Sequence, residues 1–154
     1  MISLTGNDSE TKPLNLLLVE DDDGDAKAVE RAFRSVKVVN AITRAVDGIE
    51  ALDLLRGENG ATKIASPYML LVDLNMPRMS GIELVEELRK DKTLNQTLVF
   101  ILTTSKIEED RIAAYNLNVA GFIYKETAGR DFLKLVEMID RYWRIIEVPV
   151  QSQP

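Results

Sequence analysis

Five residues of this sequence carry functional groups that phosphoryl chemistry needs, and all five fall at the ends of short apolar segments. Glu20 and Asp21 follow the first segment, Asp73 the third, Thr103 the fourth and Lys125 the fifth. If these segments are parallel strands, their carboxyl ends share the sheet edge at which ligands bind. Carboxylates held together there attract a cation, and oxygen-only ligands suit Mg²⁺. A carboxylate can attack phosphorus, while an ammonium and a hydroxyl can bind phosphate oxygens.

Each of these residues also has a simpler interpretation. An acidic run such as Glu20–Asp23 is typical of a helix N-terminus, and for Asp22 and Asp23 we favour capping. Lys125 alone is typical of a solvated surface lysine, and Thr103 of a polar strand terminus. Their joint placement at consecutive strand ends is what favours a common site.

The elements that must position these residues alternate along the chain. Strands are predicted over residues 15–19, 41–46, 68–72, 98–102 and 121–124, each followed by a helical pattern. This alternation predicts an α/β fold with a doubly wound, parallel five-stranded sheet covered on both faces, and a mixed α+β fold is the alternative. We expect one domain, residues 14–148, between a flexible segment 1–13 and a tail 149–154.

Composition excludes several classes of function. The 154 residues include no cysteine and no histidine, so a thiol nucleophile, a disulfide and an imidazole base are impossible. A net charge of −6 argues against nucleic-acid binding. Apolar runs are too short to cross a bilayer, and no signal peptide is visible, so we expect a cytoplasmic protein without membrane contact.

The motifs together resemble a known family. The sequences LLLVEDD, VDLNMP and LT, at residues 16–22, 72–77 and 102–103, with the later Lys125, are similar to the receiver domain of two-component response regulators. The resemblance covers about residues 14–146. It implies a flavodoxin-like (βα)5 fold and a phosphoryl group taken from a phosphohistidine donor, which must be another molecule because the chain has no histidine.

The same resemblance implies a role for each site residue. Asp73 is the expected phospho-acceptor, and Glu20 and Asp21 are the acidic pair. The expected protein ligands of Mg²⁺ come from this acidic pair, from Asp73 and from the backbone carbonyl of Asn75.

Thr103 and Lys125 are expected to hold the phosphoryl group. Phe122 falls where the family has a switch aromatic, although it also fits a plain core phenylalanine. Glu126 departs from the family pattern, which has proline after the lysine, so we expect a trans peptide bond there.

The end of the chain suggests how a signal leaves the domain. Two apolar stripes run along the predicted last helix: Phe132, Val136, Ile139, Trp143, Ile146 and Leu135, Met138, Tyr142, Ile145. They exceed what one core requires, so we hypothesise that one stripe, with the tail, forms a homodimer; a wide core face is the alternative. Parts of the chain also resemble single-domain regulators that serve bacterial and cyanobacterial phytochromes, which implies a phytochrome-type sensor histidine kinase as partner.

Two other functions are weighed against a phosphoryl-accepting switch. A receiver-like binding module would keep the fold without phosphorylation. An aspartyl-phosphate phosphatase is disfavoured because Asn75 stands where such enzymes place a second, acidic aspartate. We therefore expect a signalling protein and not a turnover enzyme.

Overall fold

The computed structural model describes residues 13–146, in which five strands alternate with five helices. The strands are β1 (Leu14–Val19), β2 (Val39–Ala45), β3 (Tyr68–Val72), β4 (Val99–Thr103) and β5 (Gly121–Tyr124). The helices are α1 (Asp23–Phe33), α2 (Gly48–Arg56), α3 (Gly81–Lys90), α4 (Glu108–Asn116) and α5 (Leu133–Ile145), with short 3-10 turns at Lys125–Thr127 and Arg130–Phe132. The predicted tail and all but the last residue of the predicted N-terminal segment lie outside these residues. None of the described helices is long and apolar enough to traverse a bilayer.

The sheet is parallel throughout, with strand order β2-β1-β3-β4-β5. This confirms the predicted doubly wound fold. The chain adds β2 on one side of β1 and β3 on the other, so the strand order reverses between β1 and β3. In such sheets the crevice outside the carboxyl ends at this reversal is the usual ligand site.

Both faces of the sheet are buried, because successive strand residues point to opposite sides. Leu17 and Val19 of β1 belong to the core layer that α2, α3 and α4 cover. Leu16 and Leu18 belong to the opposite layer, beneath α1 and α5. β3 is buried at every position, as expected for a central parallel strand. The carboxyl ends of β1 and β3 are therefore fully buried.

Three strands differ in their bounds from the prediction: β1 begins one residue earlier, at Leu14, and β2 ends one residue earlier, at Ala45. β2 begins two residues earlier than expected, because Val39 pairs with Leu14 at the start of the β1 ladder. β4 is displaced by one residue, since Leu98 contributes only its carbonyl to the ladder while Thr103 pairs with Tyr124. Thr103 is therefore the last residue of the strand, not the first residue beyond it.

Polar side chains begin three of the helices. Asp22 caps α1 by accepting a hydrogen bond from the Asp25 backbone N–H at 2.7 Å, which confirms its predicted capping role. Asp23 is the first helical residue and not a cap; it forms an ion pair with Arg44 at 2.7 Å. Asp47 caps α2, and Ser80 begins α3 with a capping box.

The two apolar stripes of the last helix are divided differently from the prediction. In the first stripe Val136, Ile139 and Trp143 are buried on the sheet. Most of the second stripe lies on the same core: Leu135 is buried, and the Tyr142 ring meets Phe100 edge-to-face with centroids 5.1 Å apart. The wide core face thus accounts for most of both stripes, leaving Ile145 as their strongly exposed member, at 83%; Leu133, outside both stripes, is also exposed.

Candidate functional site

The register of the two central strands brings the acidic residues together. Val19 of β1 pairs with Val72 of β3, so Glu20 and Asp73 emerge side by side. The backbone holds them there, since Asp73 N–H donates to the Val19 carbonyl at 3.0 Å. One carboxylate oxygen from each of Glu20, Asp21 and Asp73 lies within 4.8 Å of the others. Glu20 and Asp73 are buried and Asp21 is exposed, so the cluster opens to solvent at Asp21.

Lys125 reaches the same cluster from the end of β5, the edge strand of the sheet. It follows β5 directly, and its ammonium lies 2.8 Å from Glu20 Oε1, 2.7 Å from Asp25 Oδ2 and 3.4 Å from Asp73 Oδ2. Its side chain is only 10% exposed. The structure therefore places the predicted lysine at the predicted acidic site.

Burial and charge shift the ionisation of this pair. Burial, with a smaller contribution from the negative charge of Asp73, raises the pKa of Glu20 to about 7, although the Lys125 ammonium partly opposes the shift. Burial alone would lower the pKa of Lys125, but hydrogen bonds to Asp25 and Glu20 and the nearby Asp73 charge raise it. The lysine is thus a permanent cation at neutral pH, while Glu20 is the group that titrates.

One carboxylate oxygen of Asp73 is suited to bind a ligand. Its Oδ1 atom is buried and has no hydrogen-bond partner among the described residues. Buried carboxylate oxygens are ordinarily satisfied, because leaving one without a partner is costly. Together with the carboxylates of Glu20 and Asp21, the Asp73 carboxylate offers an oxygen-only set that fits a hard divalent cation.

Gly81 allows the backbone that follows Asp73 to pack tightly. A Cβ atom on this residue would lie 2.3 Å from the carbonyl oxygen of Asp73 and 2.9 Å from the Cα of Leu74. Gly81 N–H also donates to the Leu74 carbonyl at 3.0 Å. Any side chain at this position would displace the backbone that carries Asp73.

The same loop is fastened to the start of α2 by an ion pair. Arg78, in the β3–α3 connection, donates to both oxygens of Asp47 at 2.6 and 3.0 Å. Burial would raise the pKa of Asp47, but the Arg78 guanidinium and helix N–H groups hold it below its usual range. Asn75 lies in this connection, two residues after Asp73, with its side chain exposed.

Thr103 is fully buried at the end of β4, next to β3 in the sheet. Val72 pairs with Ile101, so Asp73 and Thr103 leave neighbouring strands one residue apart in level. The Thr103 hydroxyl oxygen accepts from Ser105 N–H at 3.1 Å, and the Ser105 hydroxyl donates to Asp110 at 2.6 Å. A displacement of Thr103 would therefore disturb the hydrogen bonds that connect it through Ser105 to the first turn of α4.

Phe122 lies on β5, paired with Ile101, and packs half-buried against the core beneath α2, α3 and α4. Its ring also meets Tyr124 edge-to-face, with centroids 5.7 Å apart. Its switch role stays a prediction. The peptide bond between Lys125 and Glu126 is trans, as expected, and Glu126 forms an ion pair with Lys106 of the β4–α4 connection.

Two residues of the site were missed by sequence reasoning. Asp25 contacts Lys125, and a signal was available, because it lies one helical turn beyond Asp21 in the helix that begins at the site. Arg44 donates to the Glu20 carbonyl at 2.9 Å and so braces the acidic loop. Nothing in the sequence pairs residue 44 with residue 20, because that contact depends on β2 lying beside β1.

Comparison with known proteins agrees with this geometry. A model of the response regulator receiver domain matches residues 16–137. The chain is 30% identical over 137 residues to response regulator Rcp1 of Synechocystis sp., covering 89% of this chain and 93% of the relative. It is 34% identical over 131 residues to the probable methanogenesis regulatory protein FilR2 of Methanothrix harundinacea, covering 85% and 84%.

Solved structures of similar proteins share the fold. The Mn²⁺-bound form of Rcp1 superposes with a TM-score of 0.79 at 29% identity, covering 90% of this chain and 100% of the other. The phosphorylated cyanobacterial phytochrome response regulator RcpA gives a TM-score of 0.80 at 30% identity, covering 88% and 98%. These similarities confirm the flavodoxin-like sheet and the resemblance to the receivers of phytochrome regulators.

Proposed function

Because this chain belongs to the receiver domain family of response regulators, which act in two-component signalling, we propose that Asp73 accepts a phosphoryl group and that the modified domain changes its protein contacts. The observation that carries the proposal is the convergence on Asp73: a buried oxygen without a partner, two further carboxylates and one ammonium. We propose residues 14–148 as the receiver domain, with 149–154 as a tail.

The transfer needs no side chain as a base. A carboxylate oxygen of Asp73 attacks phosphorus with its own electron pair and forms a P–O bond, giving an acyl phosphate. The P–N bond to the donor histidine breaks, and its electron pair stays on the imidazole nitrogen, which takes its proton from water. Asn75 provides no general acid for turnover of the kind an aspartyl phosphatase needs, so the chain acts as a phosphoryl carrier and not as a turnover enzyme.

A divalent cation completes the charge balance, and we propose Mg²⁺. Glu20, Asp21, Asp73 and the backbone carbonyl of Asn75 would hold it, directly or through water. The bound ion would shield the negative charge of the incoming phosphoryl group. The Mn²⁺-bound form of Rcp1 supports a divalent ion in the family, and oxygen ligands with retained waters suit Mg²⁺.

Lys125 and Thr103 would receive the phosphoryl oxygens. The Lys125 ammonium already lies 3.4 Å from Asp73 Oδ2, so a small movement suffices for a charge-assisted bond. Thr103 would donate its hydroxyl to another oxygen, and Phe122 would turn inward as the threonine moves.

The donor in this proposal is a sensor histidine kinase, and the phytochrome class is the one that the similarity to Rcp1 and RcpA favours. We place the exchange in the cytoplasm and expect neither nucleic acid nor membrane as a partner. Output would pass through a homodimer that uses the last helix near the exposed Ile145 together with the tail. Sedimentation of a monomer alone at high concentration, with and without a phosphoryl mimic, would contradict the dimer.

The phosphoryl-acceptor proposal is tested by intact mass after incubation with acetyl phosphate and Mg²⁺. We expect the wild type to gain one phosphoryl group and Asp73→Asn or EDTA treatment to abolish the gain. Asp53→Asn, which removes an aspartate of α2 outside the cluster, should behave as the wild type. Persistence of the gain in Asp73→Asn would place the acceptor elsewhere.

A further inference from the structure

The two short hydrogen bonds of Lys125 go to carboxylates other than the acceptor. An ammonium has three protons. Lys125 directs one to Glu20 at 2.8 Å and one to Asp25 at 2.7 Å, and its hydrogen bond to Asp73 Oδ2 is the longest of the three, at 3.4 Å. The lysine thus lies closer to Glu20 and Asp25 than to the oxygen of Asp73.

Glu20 and Asp25, which compete with Asp73 for Lys125, differ in how costly it is for them to lose the lysine. Glu20 is 1% exposed and loses its counter-ion at high cost if Lys125 leaves. The Asp25 side chain is 37% exposed, so water can replace the lysine there. Asp25 is also a negative charge close to the position that an anionic phosphoryl group must enter. Competition for Lys125 and repulsion of the incoming group therefore act in the same direction.

We propose that Asp25 is a positioning residue that restrains Lys125 away from Asp73 and so slows phosphorylation of this domain and weakens its hold on the phosphoryl group. The inference rests on the proposed function, because it takes Asp73 as the acceptor. The proposed restraint predicts that the phosphorylation rate changes in the opposite direction from a supporting role when Asp25 is removed. An aspartate that merely anchored the lysine or stabilised α1 would lower activity when removed, whereas a restraint raises it.

The variants that test this are Asp25→Asn and Asp25→Ala, with Asp25→Glu as the conservative form. Asp22→Asn is the matched control, because it removes one negative charge from the same helix terminus while asparagine keeps the cap. Each protein is first melted to show cooperative unfolding. The rate of phosphorylation by acetyl phosphate is then measured by intact mass at saturating Mg²⁺, and the affinity for beryllofluoride, a phosphoryl mimic, by calorimetry.

We expect Asp25→Asn and Asp25→Ala to phosphorylate about two- to fivefold faster and to bind beryllofluoride tighter by a similar factor, as for loss of one partly exposed charge pair. Asp25→Glu and Asp22→Asn should stay close to the wild type. Rates that fall or do not change in folded Asp25→Asn overturn the restraint, and so does an equal rise in Asp22→Asn. A wild type that gains no phosphoryl group refutes the proposed function itself, which separates the two failures.

Discussion

Replacing Glu20 by glutamine should change how the stability of this protein depends on pH. Glu20 is 1% exposed, and its pKa rises from 4.5 to about 7 because it is buried beside Asp73. The chain has no histidine and no cysteine, so no other side chain type ordinarily titrates between pH 5 and 8. A pH dependence of stability in the neutral range is therefore expected to come mainly from this carboxyl.

The sign and size follow from proton linkage. Between about pH 4.5 and 7 the folded protein binds the Glu20 proton and the unfolded chain does not, so the free energy of unfolding falls as pH rises. Each pKa unit corresponds to about 1.4 kcal/mol, and the whole shift therefore amounts to about 3 kcal/mol. This stability is fully present below the unfolded pKa and is lost as pH rises through the folded value. Asp47 and Asp91, whose pKa values stay below their usual range despite burial, change stability only in more acidic solution.

The assay is urea unfolding at several pH values from 5 to 8.5, in EDTA. The wild type should lose about 3 kcal/mol across this range, whereas Glu20→Gln should stay nearly level. Glu137→Gln, at an exposed glutamate of α5, should keep the slope of the wild type. Mg²⁺ at a hundred times its dissociation constant should restore about 2.7 kcal/mol to the wild type at high pH, because it binds the ionised cluster.

A wild type whose stability is flat between pH 5 and 8 would refute the reasoning, since Glu20 would then ionise in the folded protein as easily as in the unfolded chain. A slope that survives unchanged in Glu20→Gln would assign the titration to another group. Either result would contradict the claim that burial beside Asp73 raises the pKa of Glu20.

Three further substitutions probe how the site and the segments that precede β4 and β5 are held. Gly81→Ala should destabilise by about 2 kcal/mol or more in urea and slow phosphorylation, because its Cβ would press on the Asp73 backbone; a change below about 0.5 kcal/mol would contradict the contact. Arg89→Met should lower the free energy of unfolding by about 2 kcal/mol or more, since Arg89 donates to backbone carbonyls of residues 95, 97, 117 and 118. Amide hydrogen exchange should become faster in the two segments that hold these carbonyls, between α3 and β4 and between α4 and β5. Arg78→Met leaves the buried Asp47 without its cation and should destabilise the domain at pH 7 in urea unfolding, with a smaller loss in acid solution, where Asp47 is protonated.

Much of the fold was accessible from the pattern of apolar residues alone. Continuous apolar runs marked the buried strands, and β5 ends where predicted, at Tyr124. The boundaries of β2 and β4 were less accurate, because a strand ends where its ladder partners end, and Val39 and Thr103 owe their places to β1 and β5. The second stripe of the last helix was misassigned for a similar reason. Tyr142 is covered by Phe100, a residue 42 positions earlier whose proximity no periodicity reveals.

By itself, the sequence determined which chemistry is possible: no imidazole or thiol, and carboxylates, a hydroxyl and an ammonium at the ends of successive strands. These follow from residue types and from the two-residue period of a strand, which are local properties. Tertiary structure decided which of those groups meet. The placement of β3 beside β1 brought Asp73 to Glu20, and the packing of α1 brought Asp25 to a lysine 100 residues later. Electrostatic coupling depends on distance in space, and so the division of Lys125 among three carboxylates was visible only once the chain was folded.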